Sequence, residues 1–424
     1  MSRTPVQVAL VTMGTLGDVH PMIGLGKAMV ARGHVVTLLA NPVFGNLALG
    51  HGLGFEPVGT AEQQAQTLNH PKLWHPVDGL GVMWRYMLRP ALRPTVAALD
   101  DWRLRATPDT RLLVVANPVA FGARLAHEAW QLPLVSTYTA ATLLRTCLPP
   151  MTLAQWRLPA GVPRCVPRLA WTALDRLKLQ PLVLPVLNGL RREMGLPALA
   201  ESVFGRWMHS PLAGLTLFPS WFAPAAPDWP DQVRQGGFPL FDDGAALDPD
   251  LQAFLSQGPP PVVVMPGTGQ MHGAALFRAA VQALREVGLR GVFLGPVPAD
   301  VVAMANQTGL WCGSHQPFAE LLPRARALLH HAGVGSSAQA LRAGIPQLLW
   351  PQAYDQFDNA WRLERLGVAA SLPKGVPVAA DVQRCLTALL ASDAPARARA
   401  VAIDQRANLG MGLTGMCQQL EAWA

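Results

Sequence analysis

The sequence predicts an α/β fold made of two halves, each a parallel sheet covered by helices on both faces. Three observations carry that expectation. Residues 6–12 form an apolar run that meets a glycine turn, then helical periodicity from about Val19 to Arg32, then a second run at His34-Val-Val-Thr-Leu-Leu. A β-turn-α-β order of this kind opens a doubly wound sheet. A second series of the same type starts at Val262–Met265. Between the two, composition breaks at Phe222–Pro230 (FAPAAPDWP), and Pro and Gly recur as far as Pro261.

The remaining elements follow in order. In the first half, Leu112–Val115 reads as a strand, Phe121–Trp130 as a helix and Pro133–Ser136 as a strand. The stretch Leu169–Leu190 is helical and apolar over much of its surface, with Pro181 and Pro185 as interruptions. In the second half, strands at Gly291–Leu294, Ala327–His330 and Gln347–Trp350 alternate with helices near Ala274–Val287, Ser336–Ala343 and Phe357–Leu366. Strictly alternating strands and helices give parallel sheets with helices on both faces. The expectation is therefore two Rossmann-like domains with a cleft between them. Placing the linker at the composition break divides the chain into 1–225 and 226–424, with the last helix packing back on the first domain.

Composition narrows the function classes. Of 424 residues, 50% are hydrophobic and only 14% are charged, against roughly 25% charged in ordinary soluble domains. Disorder needs the opposite balance. The net charge of +7 comes mainly from scattered Arg, such as Arg324, Arg326, Arg342, Arg362 and Arg365. With no run of bases, nucleic acid is not an expected partner. Small anions and amphipathic molecules suit such a chain better. The longest uncharged stretch, Leu251 to Phe277, is broken by four prolines, so no transmembrane helix is expected. The N-terminal apolar run is too short for a signal peptide. The five cysteines are scattered, without a CxxC. Neither a disulfide framework nor a cysteine metal site is expected, and the reading is cytoplasmic.

Ligands of doubly wound sheets bind at the carboxyl ends of the strands. In the second half that position is occupied by LLHHAGVGSSAQALRAGIPQLLWPQAYDQFDNAWRLERLG, residues Leu328 to Gly367. A strand ends at His330-His331, Gly333 and Gly335 allow close backbone approach, and a helix starts at Ser336. The free N–H groups and partial positive charge of a helix N-terminus suit a phosphate. Taken alone, Gly333-x-Gly335 reads more readily as a plain glycine turn with Ser336 as N-cap.

The whole string resembles the donor-binding motif of the GT-B glycosyltransferases that act on sterols, antibiotics and plant secondary metabolites. The resemblance implies that His331, Gly333, Gly335, Ser336 and Ser337 hold a nucleotide diphosphate. It also implies that Asp355 and Gln356 bind sugar hydroxyls, and that Thr268, after the first strand of this half, meets the diphosphate. His315, two residues before Pro317, falls where relatives stack an aromatic ring on the base. Ala332 stands where glycine is usual. Gln339 stands where many uridine-dependent relatives have a glutamate bridging the ribose hydroxyls. An amide offers one carbonyl oxygen in place of two, which favours a deoxyribose donor such as a dTDP-sugar.

The same resemblance places a catalytic base in the first half, in the turn Gly14-Thr-Leu-Gly17-Asp18-Val-His-Pro21. The family's base lies three residues before the proline, which is Asp18; His20 is out of register. Asp18 also reads as a helix N-cap. Asp248-Pro249-Asp250 spells a metal-binding Asp-x-Asp but follows a polar segment and not a strand. No metal and no cofactor beyond the nucleotide-sugar co-substrate is expected, since the helix N-terminus with His331 can neutralise the leaving diphosphate.

Further strings extend the resemblance over most of the chain: PKLWHP (71–76), GVMW (81–84), WMHSP (207–211), LFPSWFAPAAPDWP (217–230) and GFPLFD (237–242). They look like the rhamnosyltransferase catalytic chains of bacterial rhamnolipid synthesis, and the likeness is weakest in 151–180 and the last forty residues. That resemblance implies inverting transfer of L-rhamnose from dTDP-L-rhamnose to the hydroxyl of a 3-(3-hydroxyalkanoyloxy)alkanoate. It further implies peripheral contact with the inner membrane and a membrane-associated partner chain that supplies the acceptor. An acceptor with two acyl chains and a carboxylate calls for a greasy site with a basic rim, for which Trp74, Trp84, Arg85, Arg89 and Arg145 are the candidates. The same aromatics also read as the buried face of an amphipathic helix. Two alternatives stand beside this one: a GT-B enzyme acting on another sterol, macrolide or lipid alcohol, and a non-catalytic nucleotide-sugar-binding protein. A dinucleotide oxidoreductase is excluded because Gly14-x-x-Gly17 lacks the GxGxxG arrangement.

Overall fold

A computed structural model of the chain describes residues 5–75, 78–148, 151–153, 156–159, 161–242, 244–267 and 270–424. The chain divides into two compact units, Met1–Pro239 with Met411–Ala424, and Leu240–Gly410.

Among the described residues, the first unit holds a seven-stranded sheet. Its spatial order is Gly54–Pro57, Val35–Ala40, Val6–Val11, Arg111–Ala116, Leu134–Tyr138, Ala213–Thr216 and Val233–Gln235, and every pairing is parallel. Such strands are buried on both faces, so they read as continuous Val/Leu runs instead of alternating. Val8, Leu10, Val11, Leu38, Leu39, Leu113 and Val115 are accordingly without exposed surface. The strand order reverses between Val6–Val11 and Arg111–Ala116, and a crevice at that switch point is where such sheets bind ligands.

The second unit repeats the plan. Its order is Trp311–Gly313, Gly291–Leu294, Val262–Met265, Ala327–His330, Gln347–Leu349 and Ala369–Ser371, again all parallel. The switch point lies between Val262–Met265 and Ala327–His330. Both sheets thus have the α/β, doubly wound, Rossmann-like order that the sequence predicts.

Three local expectations are corrected. The first helix runs Leu16–Ala31, starting earlier than Val19. The proline-rich stretch Phe222–Pro230 does not separate the units. It returns the chain to Val233–Gln235, which pairs with Ala213–Thr216, and Phe222 and Trp229 are buried, with Phe222 5.3 Å from Phe238. The division falls after Pro239, later than the 225/226 boundary.

The third correction concerns the prolines. Helix Cys165–Leu174 continues through a π-turn, Asp175–Leu179, into Gln180–Glu193. Pro181 follows that π-turn, and Pro90 follows another at Trp84–Leu88 in the same way. A proline removes one N–H and pushes against the carbonyl four residues back. A locally widened turn ahead of it absorbs both defects, so these helices pass a proline without ending.

Residues 411–424 close the first unit. Glu421 accepts from Arg32 Nε at 2.6 Å and Nη2 at 2.9 Å, and lies 2.9 Å from His34 Nε2. Since His34 Nδ1 accepts from the Val6 N–H at 3.1 Å, its proton sits on Nε2 and points at Glu421. The five cysteines are unbridged. Among the described residues, no helix is long and apolar enough to cross a membrane.

Candidate active site

At the first unit's switch point, the chain leaves Val11 and turns through Thr12–Thr15 into the first helix. Thr15, in extended conformation, is the N-cap, and Asp18 is the third helical residue. The Asp18 carboxylate accepts the Thr15 N–H at 3.0 Å while the Thr15 side chain caps the helix, a capping box. Asp18 is thus the reciprocal partner of the cap and not the N-cap itself. Gly14 has φ +137°, and a Cβ there would collide with the Asp18 carboxylate. Glycine is what allows the turn to fold over this acid.

Two residues not anticipated from the sequence lock this turn. Asn117, directly after strand Arg111–Ala116, donates through Nδ2 to the Met13 carbonyl at 2.9 Å and to Thr12 Oγ1 at 3.5 Å. Gln64, buried on helix Ala61–Leu68, donates to the Gly14 carbonyl at 2.9 Å. The only sequence signal for Asn117 was its place at a strand's carboxyl end beside the switch point; Gln64 carried none. His20, two residues beyond Asp18 along the helix, is half-buried.

At the second unit's switch point, His331 follows strand Ala327–His330. Its ring is clasped between two glycines. A Cβ at Gly267 (φ +96°) would lie 2.6 Å from His331 Nδ1, and one at Gly333 would overlap Nε2. Burial pushes the imidazole down to about 4, so it is neutral near pH 7 and acts as a hydrogen-bonding group without charge. His331 Nδ1 is enclosed and has no partner among the described residues. His330 is different: it is fully buried, with Nε2 2.9 Å from Gln347 Oε1, and belongs to the core.

Ala332 adopts φ +65°, a left-handed conformation that costs an L-residue roughly 1–2 kcal/mol. This explains why glycine suits the position. Helix Val334–Ala343 then starts with Gly333 as N-cap and no side-chain cap, where Ser336 had been expected to open it. The first intrahelical bond is Ser337 N–H to the Gly333 carbonyl at 3.0 Å. The N–H groups of Val334, Gly335 and Ser336 therefore have no intrahelical acceptor. A Cβ at Gly335 would meet nothing within 4 Å, so the first turn has open space beside that residue.

The structure separates the other expected donor residues. Ser336 is half-buried on the first turn, whereas Ser337 has no exposed surface and its Oγ is enclosed without a partner among the described residues. Ser337 cannot reach a ligand in this conformation. Gln339 donates through Nε2 to the Phe241 carbonyl at 2.9 Å, and its Oε1 is enclosed, so neither end is offered to a ribose. Asn359 ties the loop to the next motif: its Nδ2 donates to the Ala332 carbonyl at 3.0 Å and to Asp355 Oδ2 at 2.7 Å. Burial raises Asp355 to about 6, opposed by the Asn359 hydrogen bond. Gln356 turns its carbonyl inward to the N–H groups of Gln352 (2.8 Å) and Ala353 (3.2 Å). His315 is exposed, its ring 5.5 Å from Phe318. Thr268 lies outside the described residues.

Of the expected acceptor residues, two are committed to other work. Trp84 is 3% exposed, packed in the core 6.1 Å from Phe121, so the core-facing reading of that aromatic stripe holds for it. Arg145 pairs with Asp175 at 2.8 Å and lies 4.5 Å over the Trp171 ring. Its charge is already matched, which leaves it poorly suited to an acceptor carboxylate. Trp74 is half-buried, and Arg85 and Arg89 are exposed. The Asp-x-Asp spelling has a structural explanation. Asp248 is the N-cap of helix Pro249–Ser256, its Oδ1 accepting from Asp250 N–H at 2.9 Å. Among the described residues no cluster of three or more His, Cys, Asp or Glu could hold a metal.

Two doubly wound units, one ending a strand in a glycine-clasped histidine under an uncapped helix N-terminus, have the GT-B architecture. Comparison with known proteins gives the same class. The glycosyltransferase family 28 N-terminal domain matches residues 8–149, and the erythromycin biosynthesis protein CIII-like C-terminal domain matches residues 309–411. The O-mycaminosyltylonolide 6-deoxyallosyltransferase of Streptomyces fradiae is 27% identical, covering 99% of this chain and 98% of its own. Among solved structures, the glycotransferase of kitacinnamycin superposes with a TM-score of 0.71 at 18% identity, covering 99% of both chains. The spinosyn rhamnosyltransferase SpnG, complexed with thymidine diphosphate, gives 0.62 at 17% identity, covering 95% of this chain and 96% of its own. The chain belongs to the GT-B glycosyltransferases that join a family 28 N-terminal domain to an EryCIII-like C-terminal domain.

Proposed function

We propose that this glycosyltransferase is an inverting rhamnosyltransferase, moving L-rhamnose from dTDP-L-rhamnose to the hydroxyl of a 3-(3-hydroxyalkanoyloxy)alkanoate. The observation that carries the donor half is the uncapped helix N-terminus at Gly333, with His331 held beside it. Three N–H donors without an intrahelical acceptor suit a nucleoside diphosphate, and they stabilise it more as charge develops on departure. Neutral His331 adds a directed hydrogen bond. Gln339 supports thymidine over uridine, since its amide is engaged with Phe241 and presents no carboxylate to a 2′-hydroxyl. A relative in complex with thymidine diphosphate is consistent with that choice. Rhamnose and the two-tailed acceptor rest on the resemblance of residues 71–84, 207–211 and 217–242 to rhamnolipid-forming chains.

In the proposed reaction, the acceptor oxygen attacks the anomeric carbon on the face opposite the diphosphate. The carbon–oxygen bond to phosphate breaks, and Asp18 takes the hydroxyl proton. A carboxylate is a weak base towards an alcohol, but it suffices when the proton leaves as the oxocarbenium-like carbon captures the oxygen. The leaving electron pair stays on dTDP. No metal is assigned a part.

A different alcohol acceptor is the second reading, favoured by the name of the Streptomyces fradiae relative. The donor choice is tested by titrating the protein with dTDP and UDP in parallel. At least tenfold tighter dTDP binding is expected; equal affinity would remove the deoxyribose assignment.

A further inference from the structure

Residues 150–308 fall outside both family matches, and within them lies the chain's most unusual surface. Helix Cys165–Leu174 and its π-turn continuation turn an apolar face outward. Val166 is 45% exposed, Leu169 67% and Leu177 77%, with exposed Ala170 and Ala173 between them and exposed Cys165 just before. Val166, Leu169, Ala173 and Leu177 recur at three- and four-residue intervals, which places them on one side of a helix. Just upstream, Trp156 in the two-stranded hairpin Thr152–Leu153/Trp156–Arg157 is 60% exposed.

Within 156–178 the exposed charges have one sign; outside that segment, the exposed Asp228 accepts from Thr146 Oγ1 at 2.7 Å and from the Cys147 N–H at 2.6 Å, beside the carbonyl that Trp171 reaches. Arg157, Arg164, Arg168, Arg176 and Lys178 are exposed, whereas Asp175, the lone acid among the described residues of 156–178, is buried. Asp175 faces inward, taking Arg145 at 2.8 Å and the Ser202 hydroxyl at 2.5 Å. Trp171 is also turned inward, donating to the Thr146 carbonyl at 3.2 Å and carrying Arg145 on its ring. The helix is therefore fastened to the first unit by its polar and aromatic inner side. Its outer side is left apolar between flanking cations.

We propose that this face, Trp156 with Val166, Leu169 and Leu177, docks the enzyme on an anionic lipid surface. The occupant follows from the chemistry. An acidic protein groove could match the bases, but an exposed tryptophan and long aliphatic side chains, flanked by five exposed Arg/Lys against the one acid at Asp228, fit the headgroup–acyl boundary of a bilayer. There the aliphatic groups enter the acyl layer and the cations meet phosphates. Binding then has two additive parts: apolar insertion, and attraction that weakens with salt. The docking face does not depend on which sugar or alcohol the enzyme uses. It would hold the first unit beside a membrane-dissolved acceptor.

Vesicle flotation tests it, with vesicles of phosphatidylcholine alone and of phosphatidylcholine mixed with phosphatidylglycerol. The intact chain is expected to float with the mixed vesicles, and at least tenfold less with phosphatidylcholine alone or in high salt. The double variant Leu169→Glu, Leu177→Glu is expected to lose flotation at least tenfold while keeping its melting temperature, since both side chains are exposed. Val376→Glu, changing an equally exposed side chain in the second unit, is the control expected to float like the intact chain. No flotation of the intact chain, unchanged flotation of the double variant, or equal loss in the control overturns the proposal. So does sedimentation showing that the intact chain dimerises through these leucines and does not bind vesicles, which would make the occupant a second copy.

Discussion

Asp18→Asn separates the helix-cap role that the geometry gives Asp18 from the base role proposed for it. In the folded chain its carboxylate accepts the Thr15 N–H at 3.0 Å and completes the first helix's cap. An asparagine keeps one carbonyl oxygen at nearly the same place, so the folding cost belongs at the low end of the cap range, about 0.5 kcal/mol. It cannot, however, take a proton. Loss of a general base typically costs about 10²–10⁴ in rate, or about 3–5 kcal/mol in the barrier. The assay has three readouts: initial rate of dTDP release with acceptor present, dTDP affinity by calorimetry, and a thermal melt. The expected pattern is a rate loss of at least a hundredfold, unchanged dTDP affinity and a small shift in melting. Thr15→Ala is the companion, removing the cap hydroxyl for about 1 kcal/mol while leaving the carboxylate. It should lose stability but retain most of the rate. If Asp18→Asn keeps a tenth of the rate, or if both variants lose rate in proportion to stability, Asp18 is a structural acid only.

Two further outcomes test the second unit. Gly333→Ala puts a methyl group into the space of His331 Nε2, so it should displace the ring and weaken dTDP binding about as much as His331→Ala, on the order of tenfold for one lost hydrogen bond to a charged group; unchanged affinity in both would contradict the diphosphate assignment. Asp355, raised to about 6 by burial, should lose its value as an acceptor for sugar hydroxyls as pH falls from 7 to 5. Affinity for the dTDP-sugar should fall through pH 6 in the intact chain and stay flat in Asp355→Asn. The same raised value acts oppositely on folding: the native state binds the proton more readily than the unfolded chain, so this group adds stability as pH drops through 6. Affinity and stability moving in the same direction would exclude Asp355 as the titrating group.

Much of the fold was legible because parallel strands, buried on both faces, leave uninterrupted apolar runs. Ala327–His330 and Gly291–Leu294 coincide with their expected bounds, and helix Phe121–Trp130 does too. That helix ends where Gln131 turns left-handed at φ +54° and Pro133 follows closely. The linker was misplaced because a proline-rich loop inside a sheet has the same composition as one between domains. Only the pairing of Val233–Gln235 tells them apart, and that is a non-local fact. Pro181 misled for a related reason: the π-turn that accommodates it leaves no mark in hydrophobic periodicity.

The site divided along the same line. The motif singled out His331, Gly333 and Asp355, but only the structure shows the imidazole held between Gly267 and Gly333. Ser336 and Ser337 are neighbours in sequence, yet one lies on the open turn and the other is sealed in the core. Trp84 showed an aromatic at helical spacing whose inward direction periodicity alone could not assign. Gln64 acts through a backbone carbonyl and left no mark in the sequence, while Asn117 was marked only by its place at a strand's carboxyl end.

The most direct measurement is the product formed when the chain is incubated with a hydroxyalkanoyl-alkanoate mixture and either dTDP-L-rhamnose or UDP-glucose. Mass spectrometry of the lipid extract should show acceptor carrying one deoxyhexose from dTDP-L-rhamnose, and NMR should show the anomeric configuration inverted. Glucosylated lipid formed at the same rate from UDP-glucose, or no glycosylated lipid from either donor, would contradict the proposed reaction.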